Sequence, residues 1–301
     1  MTVSDNGLSQ RDLFTSGVGN LRRRHFVNRA LEITAWVGAV VAVGTLALVI
    51  GSVLMKGASS LNLRFLTTPT DPFGTGGGIS NAIIGTGILV AVATAIAVPL
   101  GILIAIYTSE LAGPRAAFTI RYVLDVLNGV PTIIVGIFIF GLMVVGHQQS
   151  GLAGSVALTI VMLPLVARSS HEVLTLVPGT VREAAMALGA SKWRTVLTVV
   201  VPTAFSGMIT GSLLAVARAA GETAPLLFTT SIFPNLVQTN LAQALPNIPV
   251  TIFQFSESPD PAKHAQAWAA ALVLIAFVLL INVIARTFLA RSRRQLGPGG
   301  R

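Results

Sequence analysis

Two opposite charges lie at the end of a strongly apolar segment, residues 197–220. Arg218 and Glu222 are four residues apart, which places them on one face of a helix. A charge at bilayer depth costs about 2.5–3.5 kcal/mol unless it is paired or faces a wet cavity. One interpretation is therefore a structural ion pair that satisfies both side chains. In the other, Arg218 lines a substrate path and binds an oxyanion through its two-pronged guanidinium, and the two interpretations are compatible.

Other polar residues lie close to the ends of apolar segments. Arg168 follows residues 152–167, where it can anchor a helix end on the cytoplasmic side or contribute to the same anion path. Asp125 and Asn128 are three residues apart and precede Pro131. This spacing is typical of interhelical hydrogen bonding or of a helix cap, and a pore-lining role is the alternative.

Residues 178–194 have the pattern of two short helices joined by a glycine turn. Thr180 and Glu183 have the spacing of a capping box, in which each side chain bonds a free backbone amide at a helix start. Gly189 favours the left-handed conformation that ends many helices. Ser191 is then a cap for a second helix. An amphipathic loop on the lipid headgroups is one interpretation of this element. A DNA-binding helix-turn-helix is excluded, because fewer than 35 residues separate the flanking apolar segments.

The same segment carries a longer motif. It reads E-A-A-x3-G-x9-[I/V]-x-[L/V]-P, with Glu183, Ala184, Ala185, Gly189, Val199, Val201 and Pro202 at the defined positions. This pattern resembles the EAA loop of ABC importer permeases. The resemblance implies an all-α integral membrane fold of the type I, MetI-like architecture with a cytoplasmic coupling loop at residues 178–202. It also implies that Glu183, Ala184, Ala185 and Gly189 dock onto an ATPase subunit and transmit its closure.

Further segments are similar to a narrower family, the phosphate importer permeases. They are the runs at residues 163–168, 217–227, 245–253 and 267–286, and they resemble the PstA subunits rather than the PstC subunits, within a similarity that covers about residues 75–290. This resemblance implies that Arg218 and Arg168 are tied to phosphate passage. Glu222, which can hold Arg218 neutralised until an anion arrives, is assigned to the same substrate pathway. The implied partners are a homologous PstC-like permease, two PstB-like ATPase subunits, an extracytoplasmic PstS-like phosphate-binding protein and the lipid of a bacterial plasma membrane.

Six apolar spans must position these residues. The chain is 53% apolar and 10% charged, which is typical of an integral membrane protein, and about 20 apolar residues cross the hydrocarbon core as a helix. The predicted spans are residues 33–55, 82–107, 126–145, 152–167, 197–220 and 268–285. They form a permease domain at 33–290 between a basic N-terminal segment, 1–32, and a tail, 291–301. The first span is too long for a signal peptide and is predicted to be a retained anchor.

The distribution of basic residues predicts the orientation. Of the 20 Lys and Arg residues, 16 lie in the termini and the loops on one side, three lie in the opposite loops, and Arg218 lies within a span. By the positive-inside rule both termini are cytoplasmic. Because topology accounts for the net charge of +9, no nucleic-acid partner is expected.

Several activities are not expected from this sequence. The chain has no Cys and its four His lack metal-ligand spacing, so neither thiol chemistry nor a metal site is predicted. No P-loop, nucleophile elbow or paired carboxylates are present in a soluble segment, so we predict no catalytic residues, no cofactor, and ATP bound only by partner subunits. A secondary anion transporter driven by an ion gradient is the alternative, although such carriers usually show internal repeats.

Overall fold

The structure is a computed structural model that describes residues 21–71, 77–232 and 235–296. The described residues are helical and contain no strand. The predicted segments 1–32 and 291–301 lie partly outside them. The chain divides into two compact units, residues 1–54 and residues 55–301.

The first unit consists of one long helix in its described part. Helix α1, Leu21–Gly57, contains the first predicted span and continues into the second unit. This helix is long and apolar enough to cross a membrane. Most of its large apolar side chains, including Trp36 and Leu48, are exposed.

The second unit contains the remaining spans, joined by short helices. In chain order the helices are α2 (Leu63–Thr67), α3 (Ser80–Ile106), α4 (Pro114–Gly129), α5 (Thr132–Ile139), α6 (Gly151–Thr175), α7 (Gly179–Ala187), α8 (Lys192–Thr195), α9 (Val201–Ala220), α10 (Ala224–Thr229), α11 (Ile248–Ser256) and α12 (Pro261–Leu296). Three π-helical turns extend this set, at Tyr107–Leu111 after α3, Phe140–Val144 after α5 and Val196–Val200 before α9. Ser150 and Asn247 cap α6 and α11 by accepting hydrogen bonds from backbone amides.

The third predicted span is divided between two helices. Helix α4 and the segment Thr132–Val144 meet at an angle of 96°. Val130 is extended, with φ −69° and ψ 128°, because the ring of Pro131 disfavours a helical residue before it. Five described helices are long and apolar enough to span a membrane, and this bent pair is a sixth candidate.

Helix α6 is the centre of the second unit. Its buried face, which includes Leu158, Met162 and Val166, packs with α3 and α9 in one apolar cluster. Glycines allow the neighbouring helices to approach closely: a Cβ on Gly101 would lie 2.7 Å from Val166 Cγ1, and one on Gly211 would clash with Ser169 Oγ. Small residues at the contacts between spans are therefore used for packing, as membrane helices commonly use them.

This packing gives a direct stability prediction. Gly101→Ala adds a methyl group against Val166, and overpacking of this kind costs about 1–3 kcal/mol. Gly87→Ala on the same helix is the matched control, because nothing lies within 4 Å of its Cβ position. Thermal unfolding of the purified subunit should show a lower melting temperature for Gly101→Ala than for Gly87→Ala. Equal melting temperatures would contradict the close α3–α6 contact.

Candidate coupling loop and translocation site

Arg218 and Glu222 form the predicted ion pair. Arg218 lies in the last turn of α9, and Glu222 follows Gly221, the residue at which the helix ends. The Nε of Arg218 donates to Glu222 Oε1 at 3.4 Å. The Arg218 side chain is 52% exposed and that of Glu222 is 15% exposed. Among the described residues, Glu222 is the only recorded side-chain partner of this guanidinium and it contacts only Nε, so both terminal nitrogens can donate to an anion.

Arg168 is more heavily paired than Arg218. Its Nη1 donates to Asp125 Oδ1 at 2.8 Å, and its Nε donates to Glu172 Oε1 at 3.3 Å. Asp125 therefore forms a hydrogen bond between α4 and α6, which agrees with the interhelical role predicted for it. Asn128 is exposed, and no side-chain hydrogen bond is recorded for it within the described residues. The structure places Arg168 and Arg218 in ion pairs with different carboxylates.

A cavity of about 150 Å³ is lined in part by Arg168 and in part by residues that sequence reasoning missed. His171 lies between Thr108 Oγ1, 3.2 Å from its Nδ1, and Arg121 Nη1, 3.5 Å from its Nε2. Three helical segments supply these groups: α4, α6 and the π-helical turn after α3. Of the residues that line this cavity, Arg168 was predicted to lie on the substrate path, and a pore-lining role was the alternative for Asp125. Thr108, Arg121 and His171 were missed, because the bend at Pro131 that brings α4 beside α6 could not be read from the sequence.

The coupling loop contains two helices, as predicted, but its first cap differs from the prediction. Helix α7 begins at Gly179 after Pro178, and no side-chain cap hydrogen bond is formed. Thr180 lies within the helix, so the predicted capping box between Thr180 and Glu183 is wrong. Proline at the N-cap has no side-chain acceptor, and the first residues of α7 are exposed, so water can satisfy their free amides. Glu183 is therefore not used in a cap.

The turn at Gly189 is a Schellman motif. The N–H of Ala190 donates to Ala185 O at 3.2 Å, and the N–H of Gly189 donates to Met186 O at 2.9 Å. Gly189 has φ +85°, which glycine adopts without a steric cost. Ser191 Oγ then accepts from the N–H of Arg194 at 3.4 Å and caps α8, as predicted.

Helix α7, the first helix of the coupling loop, is exposed to solvent. None of the residues of α7 is buried, and Glu183, Ala184 and Gly189 are exposed while Ala185 is partly buried. Apolar side chains accompany them, and Leu188 is 90% exposed. An exposed surface that combines apolar side chains, small alanines and one carboxylate has the composition of a protein docking surface.

Arg182 fixes this helix to the body of the protein and was not predicted. Its Nη2 donates to Glu110 Oε1 at 2.6 Å and its Nε to Glu110 Oε2 at 3.3 Å. The same guanidinium also donates to the backbone oxygens of Leu174 and Val177. The only sequence signal for this ion pair was an acidic residue, Glu110, at the end of an apolar span. Nothing in the local sequence links Glu110 to Arg182.

Comparison with known proteins places this geometry in a family. Residues 97–294 match the family of binding-protein-dependent transport system inner membrane components. The chain belongs to this family. The phosphate transport system permease protein PstA of Yersinia pestis is 42% identical over 245 residues, which are 80% of this chain and 83% of that protein. The PstA protein of Xylella fastidiosa strain 9a5c is 36% identical over 276 residues, 90% of this chain and 96% of its own length.

Solved structures support the same fold for this permease. It matches a chain of a bacterial alginate ABC transporter with a TM-score of 0.63 and 13% identity, covering 90% of this chain and 98% of the other. It also matches a chain of the inward-facing MetNI methionine ABC transporter with a TM-score of 0.56 and 18% identity, covering 71% and 94%. The predicted all-α, MetI-like permease fold is confirmed, and so is the localisation to the inner membrane.

Proposed function

We propose that this permease is the PstA-type subunit of an ATP-driven phosphate importer. The similarity to PstA proteins carries the proposal, at 42% identity over most of both chains. Its partners are a PstC-like permease, two PstB-like ATPase subunits and a PstS-like phosphate-binding protein outside the membrane. The permease itself is not an enzyme and binds no cofactor, since ATP is bound and hydrolysed by the ATPase subunits.

The exposed coupling helix is the element that receives the ATPase movement. Ala184 and Ala185 have small side chains that let a partner backbone approach closely. The Glu183 carboxylate forms no capping hydrogen bond at the start of α7. A carboxylate in this state can form a charge-assisted hydrogen bond with an arginine of the partner. Gly189 sets the angle between α7 and α8 through the turn that it closes.

Arg218 is the residue that meets phosphate during translocation. Glu222 neutralises its charge in the absence of substrate, and the terminal nitrogens of the guanidinium donate to a phosphate oxygen pair when the path opens. Arg168 contributes positive charge on the same path, held by Asp125 and Glu172. Its two carboxylate partners make its direct contact with substrate weaker than that of Arg218.

The proposed orientation places both termini and the coupling loop in the cytoplasm. Because the chain has no Cys, single cysteines can be introduced and labelled with a membrane-impermeant maleimide. We expect labelling at position 260 and no labelling at position 301 in intact cells, since 16 basic residues lie on the predicted cytoplasmic side and three on the other. The reverse pattern would overturn the orientation.

A secondary transporter driven by an ion gradient is the alternative function. The exposed α7, the Schellman turn at Gly189 and the anchored Arg182 favour the ATP-driven importer, because a stand-alone carrier needs no surface for an ATPase. ATP hydrolysis by the purified assembly separates the two functions. We expect hydrolysis to rise when phosphate-loaded binding protein is added and not when the binding protein is incubated with sulfate alone. Phosphate uptake by the permease in the absence of any ATPase subunit would contradict the proposal.

A further inference from the structure

The guanidinium of Arg182 joins three parts of the permease that are separate in sequence. Arg182 lies on α7, Glu110 lies in the π-helical turn after α3, and Leu174 lies in the last turn of α6. Four donor–acceptor contacts are recorded for this one side chain. The pair is largely enclosed, since the side chains of Arg182 and Glu110 are 22% and 7% exposed.

The arrangement is directional as well as enclosed. A bidentate pair of guanidinium and carboxylate fixes the relative orientation of its two groups, which a lysine cannot do. The carbonyl oxygen of Leu174 lies in the last turn of α6 and that of Val177 lies two residues beyond the helix end, a region where carbonyl groups attract a cation. Arg182 is therefore held by the Glu110 carboxylate on one side and by the two carbonyl oxygens on the other.

An apolar cluster lies beneath the pair and completes the connection. Ala105, Ile106, Leu174 and Val177 pack with Val196 and Val200 of the π-helical turn that precedes α9. Residues at both ends of the coupling loop thus pack in the same apolar cluster. Within the described residues, α7 has no buried residue of its own, so Arg182 supplies its main polar attachment to the helices that form this cluster.

We infer that Arg182 and Glu110 are positioning residues that make α7, the end of α3 and the end of α6 move as one body during the transport cycle. A displacement of α7 is passed through the guanidinium to α6, which carries Arg168 seven residues before its last residue, Thr175. Without the pair, α7 moves with the ATPase and this movement is not transmitted to α3 and α6. The inference rests on the proposed function, because it requires an ATPase that moves α7.

The measured quantity is the number of phosphate ions accumulated per ATP hydrolysed by the full complex in proteoliposomes. We expect Arg182→Gln and Glu110→Gln to assemble with the ATPase and to hydrolyse ATP, with this ratio lowered by about tenfold or more, within the range of typical coupling energies. Arg182→Lys should recover only part of the ratio, because an ammonium cannot reach both carboxylate oxygens and both carbonyls. Arg115→Gln is the matched control, since Arg115 is an exposed basic residue on the same predicted side without a recorded ion-pair partner among the described residues.

Covalent rescue separates a mechanical role from a merely stabilising one. The double variant Glu110→Cys with Arg182→Cys should be uncoupled when reduced and should recover its ratio when a short bifunctional maleimide joins the two thiols, which are unique in this cysteine-free chain. A merely stabilising pair predicts fewer assembled complexes with an unchanged ratio, and that result would overturn the inference. A joined but still uncoupled complex would overturn it too. Absence of ATP-driven uptake in the wild-type complex would instead contradict the proposed function.

Discussion

Arg218→Gln should give a permease that inserts and assembles but has lost phosphate uptake. The substitution removes the cation and the donors that a phosphate would use, and hydrogen bonds to charged groups contribute about 1.5–3 kcal/mol each. Loss of two such bonds in the path corresponds to roughly a hundredfold or greater reduction in uptake at limiting phosphate. Glu222 lies just beyond the end of α9 and its side chain is 15% exposed, so its carboxylate is accessible to water when Arg218 is replaced.

Two further variants make this prediction specific. Arg218→Lys keeps the charge and loses the planar fork, so we expect partial uptake. In the double variant Arg218→Gln with Glu222→Gln no unpaired charge remains. If Arg218 served only to satisfy Glu222, the double variant would regain full uptake. Recovery of that kind would exclude a direct role of Arg218 in substrate contact.

Gly189→Val should give the second large effect, a complex that binds poorly to its ATPase and transports little phosphate. Gly189 has φ +85°, and a β-branched residue in the left-handed region is strained by about 1–2 kcal/mol or more. Relief of this strain breaks the two hydrogen bonds of the Schellman motif and changes the angle between α7 and α8. We expect ATP-driven uptake to fall by about tenfold or more, since each 1.4 kcal/mol changes a population tenfold.

The control for Gly189→Val is Gly189→Asn. Nothing lies within 4 Å of the Cβ position at Gly189, so a side chain is not excluded by a clash within the chain. Asparagine adopts the left-handed region far more readily than valine and should retain most of the uptake. Equal losses for both variants would show that bulk at position 189 matters and that the backbone conformation does not.

Sequence reasoning succeeded where a local pattern carries the information. The length of the apolar segments predicted helices such as α6 and α9, and the spacing of Arg218 and Glu222 predicted that they share one helix face. The left-handed turn at Gly189 and the cap at Ser191 also follow from local rules. These features depend on residues within one or two helical turns of each other.

Features that depend on distant contacts were missed. The 96° bend at Pro131 brings α4 across α6, and only then does Asp125 meet Arg168. The pair between Glu110 and Arg182 joins residues 72 positions apart. The capping box failed for a different reason: Pro178 occupies the N-cap, which places Thr180 inside the helix. Three-dimensional packing decides the first two features. A helix start two residues earlier than predicted decides the third.

ATP-driven accumulation of phosphate in proteoliposomes tests the central claim most directly. The purified permease is reconstituted with its partner permease, the two ATPase subunits and the binding protein, with ATP on the side of the coupling loop and with no ion gradient across the membrane. We expect labelled phosphate to accumulate only while ATP is hydrolysed, and we expect Glu183→Arg to stop this accumulation by placing a like charge against the partner surface that receives the carboxylate. Accumulation that needs an imposed ion gradient and no ATP would contradict the account.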